Sequence, residues 1–174
     1  MAASPLKIFL KLDAIDGDST VKGHEKEIMV LSYEQGVAVA IAAGGGGGAA
    51  VGRPQFSDVH LRKDMDKASV PMMMAAAMGQ HIRQALFTFR RATFEFYKVT
   101  LEDVLITKVF QRAGTDQQYP LSFTALDAGA ANSGFLDDVT LTYTRIHWEH
   151  RAQRPDGSVV ATNGGWDVRT NQRI

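Results

Sequence analysis

The chain has 174 residues, 45% hydrophobic and 22% charged, which is the ordinary composition of a globular domain. Nineteen basic and nineteen acidic side chains cancel, so no overall field attracts nucleic acid or an anionic membrane. The absence of cysteine excludes disulfides, thiol nucleophiles and zinc–thiolate sites.

The N-terminal segment predicts neither a signal peptide nor a membrane span. Only three apolar residues separate Lys7 from Lys11, far fewer than a signal-peptide core contains. The longest uncharged run, 35–52, is mostly alanine and glycine, which is too weakly apolar to insert. We therefore expect one domain, 1–174, made in the cytoplasm without membrane insertion and exported, if at all, without a classical signal peptide.

Strand signals dominate in chain order. Alternating or β-branched apolar residues predict about eight strands, the clearest of which are KIFLKL (7–12), EIMVLSY (27–33), VAVAI (37–41), FSDVHLR (56–62), ALFTFRRA (85–92), FEFYKVTLEDVLITKVF (94–110) and VTLTYTRIHWEH (139–150). The 94–110 segment exceeds normal strand length, which predicts a bend near Leu101–Asp103. In the 139–150 segment the apolar residues switch from odd-numbered to even-numbered positions, which predicts a bulge near Thr144–Arg145.

One short helix interrupts the strands. Ser69 is suited to the N-cap, Pro71 to the first turn and Gly79 to the left-handed position after the last turn. Four methionines lie between these residues. We expect two or three of them to pack in the core beneath the helix while Met72 contacts a neighbour.

Many short strands and one helix predict a mainly β fold, a compact closed or nearly closed β-barrel with the helix over one side. Two long loops remain, 42–53 and 113–137. Loops of this length usually bind something or are mobile.

No motif predicts catalysis, a cofactor or a metal. The five-glycine run is not followed by the Gly-Lys-Ser/Thr sequence and helix of a phosphate-binding loop. The aspartates of DAIDGDS (13–19) are out of register with a calcium loop and favour a turn. His147 and His150 are expected on opposite faces of a strand. His81 has no carboxylate or nucleophile nearby in sequence.

The order of several motifs resembles one known family. These motifs are IFLKLDAIDGDST (8–20), HEKEIMVLSYEQGV (24–37), the glycine run, the Asp66–His81 stretch with its methionine-rich helix, YKVTLEDVLITKV (97–109), VTLTYTRIHWEH (139–150) and GGWDVRTN (164–171). They resemble the Hcp proteins (haemolysin-coregulated proteins), which form the inner tube of the bacterial type VI secretion system.

The resemblance implies a β-barrel related to phage tail-tube proteins, assembled as homo-hexameric rings. Such rings stack into a hollow tube, and a contractile sheath propels the tube with a spike at its tip. The lumen carries or stabilises effector proteins, and subunits are secreted. No catalysis, cofactor or nucleic acid belongs to this role.

The resemblance also implies interface residues. The glycine-rich loop would contact adjoining subunits or rings through Gly44, Gly45, Gly46, Gly47, Gly48 and Gly52. The helix would lie near subunit contacts with Ser69, Pro71 and Met72. Glu34 replaces a residue of the family that faces the lumen, so a ring of carboxylates is expected there. The segment 113–137 is longer than the usual connection in the family and would decorate the ring or contact a specific partner.

The sequence leaves three alternatives open. A phage-type tail-tube subunit shares the architecture. A monomeric ligand-binding β-barrel would hold a ligand in its interior and form no ring. A small hydrolase would depend on His81.

Overall fold

The computed structural model describes residues 5–42, 50–113, 135–154 and 156–174. The predicted interface positions Gly44–Gly48 and most of the 113–137 segment lie outside these ranges. The described residues form twelve strands and one helix: β1 (Leu6–Leu12), β2 (Ile28–Val30), β3 (Ser32–Glu34), β4 (Val37–Ala42), β5 (Ala50–Phe56), β6 (Val59–Asp64), α1 (Ser69–Met78), β7 (His81–Arg91), β8 (Phe94–Ala113), β9 (Phe135–Thr142), β10 (Arg145–Gln153), β11 (Val159–Asp167) and β12 (Gln172–Arg173). The prediction of a mainly β fold with one helix is confirmed.

All strand pairs are antiparallel, and β8 is the centre of the main sheet. On one side β8 pairs with β7, which continues to β1 and β2. On its other side the first half of β8 pairs with β10 and the second half with β9. From β10 the sheet continues to β11 and β12, and from β9 it continues to β6 and β3. The long strand therefore joins two branches.

Among the described residues the strand pairing does not close into a barrel, so of the two predicted forms, a closed or a nearly closed barrel, the closed one is wrong. The chain changes partner at Leu31, because β2 pairs with β1 whereas β3 pairs with β6. The Leu31 N–H donates to the Arg62 carbonyl at 2.8 Å and spans the discontinuity. The change of partner also shifts the alternation of buried and exposed residues. Met29 and Leu31 are half-exposed, whereas the Tyr33 ring packs inward against Phe87 and Phe89.

The irregularities predicted in the two long strand segments are present. Asp103, inside β8, has a φ of 53°, in the left-handed region that residues other than glycine rarely adopt. Opposite Asp103 the chain breaks between β9 and β10 at residues 143–144. Because of this break, Leu141, Tyr143 and Ile146 are all buried in one core, although the buried positions are odd-numbered before the break and even-numbered after it.

The helix begins and ends close to the predicted positions, but the side that faces the core differs from the predicted side. Ala68, not Ser69, is the N-cap, and Gly79 adopts the left-handed conformation after the last turn with φ 60°. The buried helix residues are Ser69, Met72 and Ala75, and Met72 is completely buried. Met72 therefore packs inside the subunit, and the other three methionines do not, the reverse of the prediction.

Candidate assembly surfaces

Strands β4 and β5 form a separate two-stranded sheet, called the hairpin below. Within the part of the chain that the structure describes, neither strand pairs with the main sheet. An isolated pair of strands is marginally stable in water, and its unpaired edges are ready to bind another chain. The hairpin is therefore suited to completion by a partner.

One side of β4 is strongly apolar. Val37, Val39 and Ile41 alternate along the strand and are 56%, 43% and 70% exposed. Burying three such side chains is worth roughly 5 kcal/mol before the entropy cost of association is subtracted. This row of side chains has the chemistry of a protein-binding surface.

Gly52 is the one described member of the predicted glycine contact set, and it lies in an irregular part of the hairpin. The register shifts between Val39 and Ile41. A Cβ atom on Gly52 would lie 2.9 Å from the Ala40 carbonyl oxygen, closer than real Cβ atoms come. The next residue, Arg53, donates to the carbonyls of Val168 at 2.9 Å and Arg169 at 3.2 Å. Gly52 thus permits a close backbone approach beside the arginine that attaches the hairpin to the C-terminal turn.

The outer side of α1 is the second apolar surface, called the methionine face below. It consists of Val70, Met73, Met74 and Met78, which are 70%, 39%, 52% and 63% exposed. Flexible thioether side chains adapt to irregular partners. Of the helix residues predicted near a subunit contact, Pro71 is exposed whereas Ser69 and Met72 are buried.

A buried polar cluster fixes the rotation of α1. The Lys63 ammonium group, completely buried, donates to Asp66 Oδ1 at 2.7 Å, Asp137 Oδ2 at 2.9 Å and Ser69 Oγ at 3.0 Å. The Ser69 hydroxyl also donates to Asp137. Because these bonds pull Ser69 inward, the residues three and six positions later, Met72 and Ala75, follow it into the core.

The charges in this cluster are well compensated. Burial raises the pKa of Asp137, but hydrogen bonds from Ser69, Lys63 and Gln111 outweigh it and hold the pKa below its ordinary value. Gln111 donates to the second carboxylate oxygen at 3.0 Å. Sequence reasoning missed the cluster because Lys63 and Asp137 are 74 residues apart.

Glu34, the predicted lumen-facing residue, is exposed on β3 and lies opposite His60 in the strand register. The nearby side chains of Met29 and Leu31 are 48% and 49% exposed. This stretch of the sheet therefore combines two apolar side chains with a carboxylate on the solvent side.

His81 has a carboxylate partner that the sequence did not reveal. Its Nδ1 atom lies 2.8 Å from Asp103 Oδ1, and both side chains are at least half-exposed. In the described ranges no serine or threonine hydroxyl is hydrogen-bonded to His81. An exposed His–Asp pair without a nucleophile gives no geometric support for a hydrolase.

The remaining candidate residues are dispersed among structural ion pairs. Asp13, Asp16 and Asp18 contact Arg83, Lys26 and Lys67, respectively. His147 lies 3.5 Å from Glu102, and His150 faces the Tyr97 ring. The described residues contain no group of three or more potential ligands arranged for a metal ion. Nor do they include a helix with the length and hydrophobicity that a membrane crossing requires.

Asp167 stabilises the C-terminal turn that receives Arg53. The Thr170 backbone N–H and the Arg145 guanidinium donate to its carboxylate at 2.8 and 3.0 Å and lower its pKa to about 2. A carboxyl group with a depressed folded-state pKa stabilises the fold above its ordinary pKa, and that stability is lost as the pH falls through the folded value.

We therefore expect Asp167→Asn to flatten the loss of thermal stability of the wild type between about pH 4 and pH 2. Melting temperatures measured by circular dichroism from pH 2 to pH 6 check this result. Identical slopes for the two proteins would show that Asp167 contributes no acid-sensitive stability.

Comparison with known proteins agrees with this architecture. A family model described as "Type VI secretion system effector, Hcp" matches residues 9–150. Protein hcp1 of Pseudomonas aeruginosa is 27% identical over 170 residues, which cover 94% of this chain and 96% of that protein. The Major exported protein of the same species is 26% identical over 147 residues, covering 82% and 79%.

Solved structures give the same result. Hcp1 from Salmonella typhimurium has a TM-score of 0.73 at 25% identity and covers 99% of this chain and 100% of its own. A structure described as a type six secretion system protein has a TM-score of 0.82 at 23% identity, with coverage of 98% and 100%, and supports the fold. Because the family model spans most of the sequence, the chain belongs to the Hcp family of type VI secretion proteins.

Proposed function

We propose that this chain is the repeating subunit of a type VI secretion tube. It forms homo-hexameric rings that stack into a hollow tube, is exported without catalysis or a cofactor, and carries effector proteins in the lumen. The contractile sheath and the spike are its further partners. The observation that carries this proposal is the hairpin, whose exposed apolar row and outer strand edges, unpaired among the described residues, are suited to a partner chain.

Two surfaces supply the contacts in this proposal. The hairpin reaches the next ring, and the glycine run 44–48, which separates β4 from β5 in the sequence, is proposed to belong to the same contact. The methionine face lies near a subunit contact within the ring. A net charge of zero adds no general repulsion between copies. Glu34 faces the lumen, where six copies of its carboxylate would disfavour acidic cargo.

The alternatives are less well supported. The family match favours the secretion tube over a phage tail tube, which has the same architecture. A ligand-binding barrel would hold its ligand in the interior, whereas among the described residues Leu10, Phe87, Leu101 and Ile146 are completely buried in one hydrophobic core.

The first test is negative-stain electron microscopy of the purified chain with its mass measured by light scattering. Open rings with the mass of about six subunits are expected. A protein that stays monomeric at high concentration would contradict the proposal, since concentration drives assembly.

The hairpin is tested by a triple variant, Val37→Thr, Val39→Thr and Ile41→Thr. Threonine keeps strand propensity but removes apolar surface. We expect an unchanged melting temperature and normal rings, with loss of stacked tubes in micrographs.

The matched control is Val159→Thr with Val160→Thr, which changes exposed valines on β11 and should leave stacking intact. Deletion of Gly44–Gly48 should weaken stacking in the same way as the triple variant. Normal tube yield from both hairpin variants would rule out this surface as the contact between rings.

A further inference from the structure

The hairpin is joined to the main sheet at its two roots. One root is Gln35–Gly36, before β4, and the other is Ser57, after β5. The Ser57 N–H donates to the Gly36 carbonyl at 2.9 Å, and the Gly36 N–H donates to Ser57 Oγ at 2.8 Å. These bonds hold the roots together but do not tie them to the core.

The Tyr143 hydroxyl makes that connection. It accepts a hydrogen bond from Gln35 Nε2 at 3.1 Å and donates one to the Ser57 carbonyl at 3.0 Å. A single side chain therefore contacts both roots. Tyr143 lies at the break between β9 and β10 and is only 8% exposed, so its ring is held by the packed core of the subunit.

This hydroxyl keeps its proton under ordinary conditions. Burial raises the pKa of Tyr143 to about 12, and the Asp58 carboxylate acts in the same direction. The hydroxyl consequently remains able to donate to Ser57 throughout the neutral range.

The other contacts at the base of the hairpin constrain its direction less. Phe56 stacks near Trp148 and Trp166, with ring centroids 6.2 and 6.1 Å away. Apolar contacts of this kind are largely non-directional, whereas hydrogen bonds weaken steeply as their angles change. The Arg53 guanidinium also makes directional hydrogen bonds, to the carbonyls of Val168 and Arg169, but these bonds are exposed to water. The Tyr143 hydroxyl belongs to a nearly buried side chain, so its two bonds restrict the angle of the base more strongly.

We propose that Tyr143 is a positioning residue that sets the direction of the hairpin relative to the main sheet. This inference rests on the proposed function, in which the direction of the hairpin places the apolar row of β4 where the next ring can bind it. A hairpin that swings freely would lose orientational freedom on stacking, and this loss weakens the contact. Preorganisation by Tyr143 reduces that cost.

The test variant is Tyr143→Phe, which keeps the ring and removes only the hydroxyl. Because the chain has no cysteine, Ile41→Cys and Lys11→Cys can carry two spin labels, one far along β4 and one on β1. Pulsed electron paramagnetic resonance on the unstacked protein then measures the distribution of distances between hairpin and sheet. Ser57→Ala, at an exposed position, is a second variant that removes the Gly36 bond without touching the core.

We expect Tyr143→Phe to broaden the distance distribution, with Ser57→Ala broadening it to a smaller extent. Tyr97→Phe, a tyrosine outside the base of the hairpin, is the matched control and should leave the distribution narrow. In the unlabelled protein, Tyr143→Phe should form normal rings whose stacking requires a roughly tenfold higher concentration.

The outcomes separate this proposal from the proposed function. A distribution as narrow as that of the wild type overturns the positioning role, whatever the tubes do. A broad distribution with unchanged stacking supports the positioning role of Tyr143 and contradicts the assignment of the hairpin to the contact between rings. A broad distribution with weakened stacking supports both.

Discussion

Replacing Lys63 by methionine should lower the free energy of unfolding by about 3–5 kcal/mol, because the change leaves buried carboxylates without their cation. Asp137 is completely buried, and the Asp66 side chain is 13% exposed. Chemical denaturation followed by circular dichroism measures the change. Tube assembly should fall with it, since the helix that carries the methionine face is held through Ser69.

Two further variants give this prediction its controls. Lys67→Met removes an exposed pair with Asp18, whose charged atoms are 3.8 Å apart, and should cost less than about 1 kcal/mol. Adding Asp137→Leu to Lys63→Met should recover part of the lost stability, because an apolar pair avoids the unpaired charge. If Lys63→Met were as mild as Lys67→Met, the buried cluster would not hold the helix.

Introducing glutamate at Met72 should destabilise the fold by several kcal/mol, whereas the same change at Met74 should leave the melting temperature nearly unchanged. Met72 is completely buried, so Met72→Glu places a charge in the core, a change of at least about 3 kcal/mol. Met74 is 52% exposed, and glutamate is a good helix former. Thermal unfolding of the two variants compares them directly.

The Met74 variant also tests assembly. A charge in the methionine face should reduce ring formation while the subunit stays folded, and light scattering measures this loss. Equal destabilisation by the two substitutions would mean that the helix has a different rotation from the one described. A folded Met74→Glu protein that forms normal rings would exclude the methionine face from the subunit contact.

The sequence by itself determined the elements that depend on local signals. Alternating apolar residues predicted the main strands, and the phase change before Ile146 predicted a bulge at the point where the structure has the break between β9 and β10. Pro71 and Gly79 marked the two ends of the helix because their backbone preferences act within one turn. The order of the motifs identified the family, which the family model and the relatives confirm.

Only the tertiary structure decided which side of the helix faces the core. The run of methionines and alanines is apolar all around the helix, so its pattern does not select a buried side. The selection comes from Ser69, which binds Lys63 and Asp137, and this contact joins strands far apart in sequence. The same reason explains the unclosed sheet, because the change of partner at Leu31 depends on where β1 and β6 lie.

The orientation of the hairpin was likewise decided by the tertiary structure. The alternation of valine and isoleucine predicted β4, but nothing in its sequence indicates that the strand leaves the main sheet. The proposed direction of the hairpin depends on Tyr143, whose hydroxyl donates to the Ser57 carbonyl 86 residues earlier. Local patterns determine the strands and the helix through nearest-neighbour sterics and amphipathicity, whereas long-range polar contacts fix their orientation, and these contacts exist only once the chain has folded.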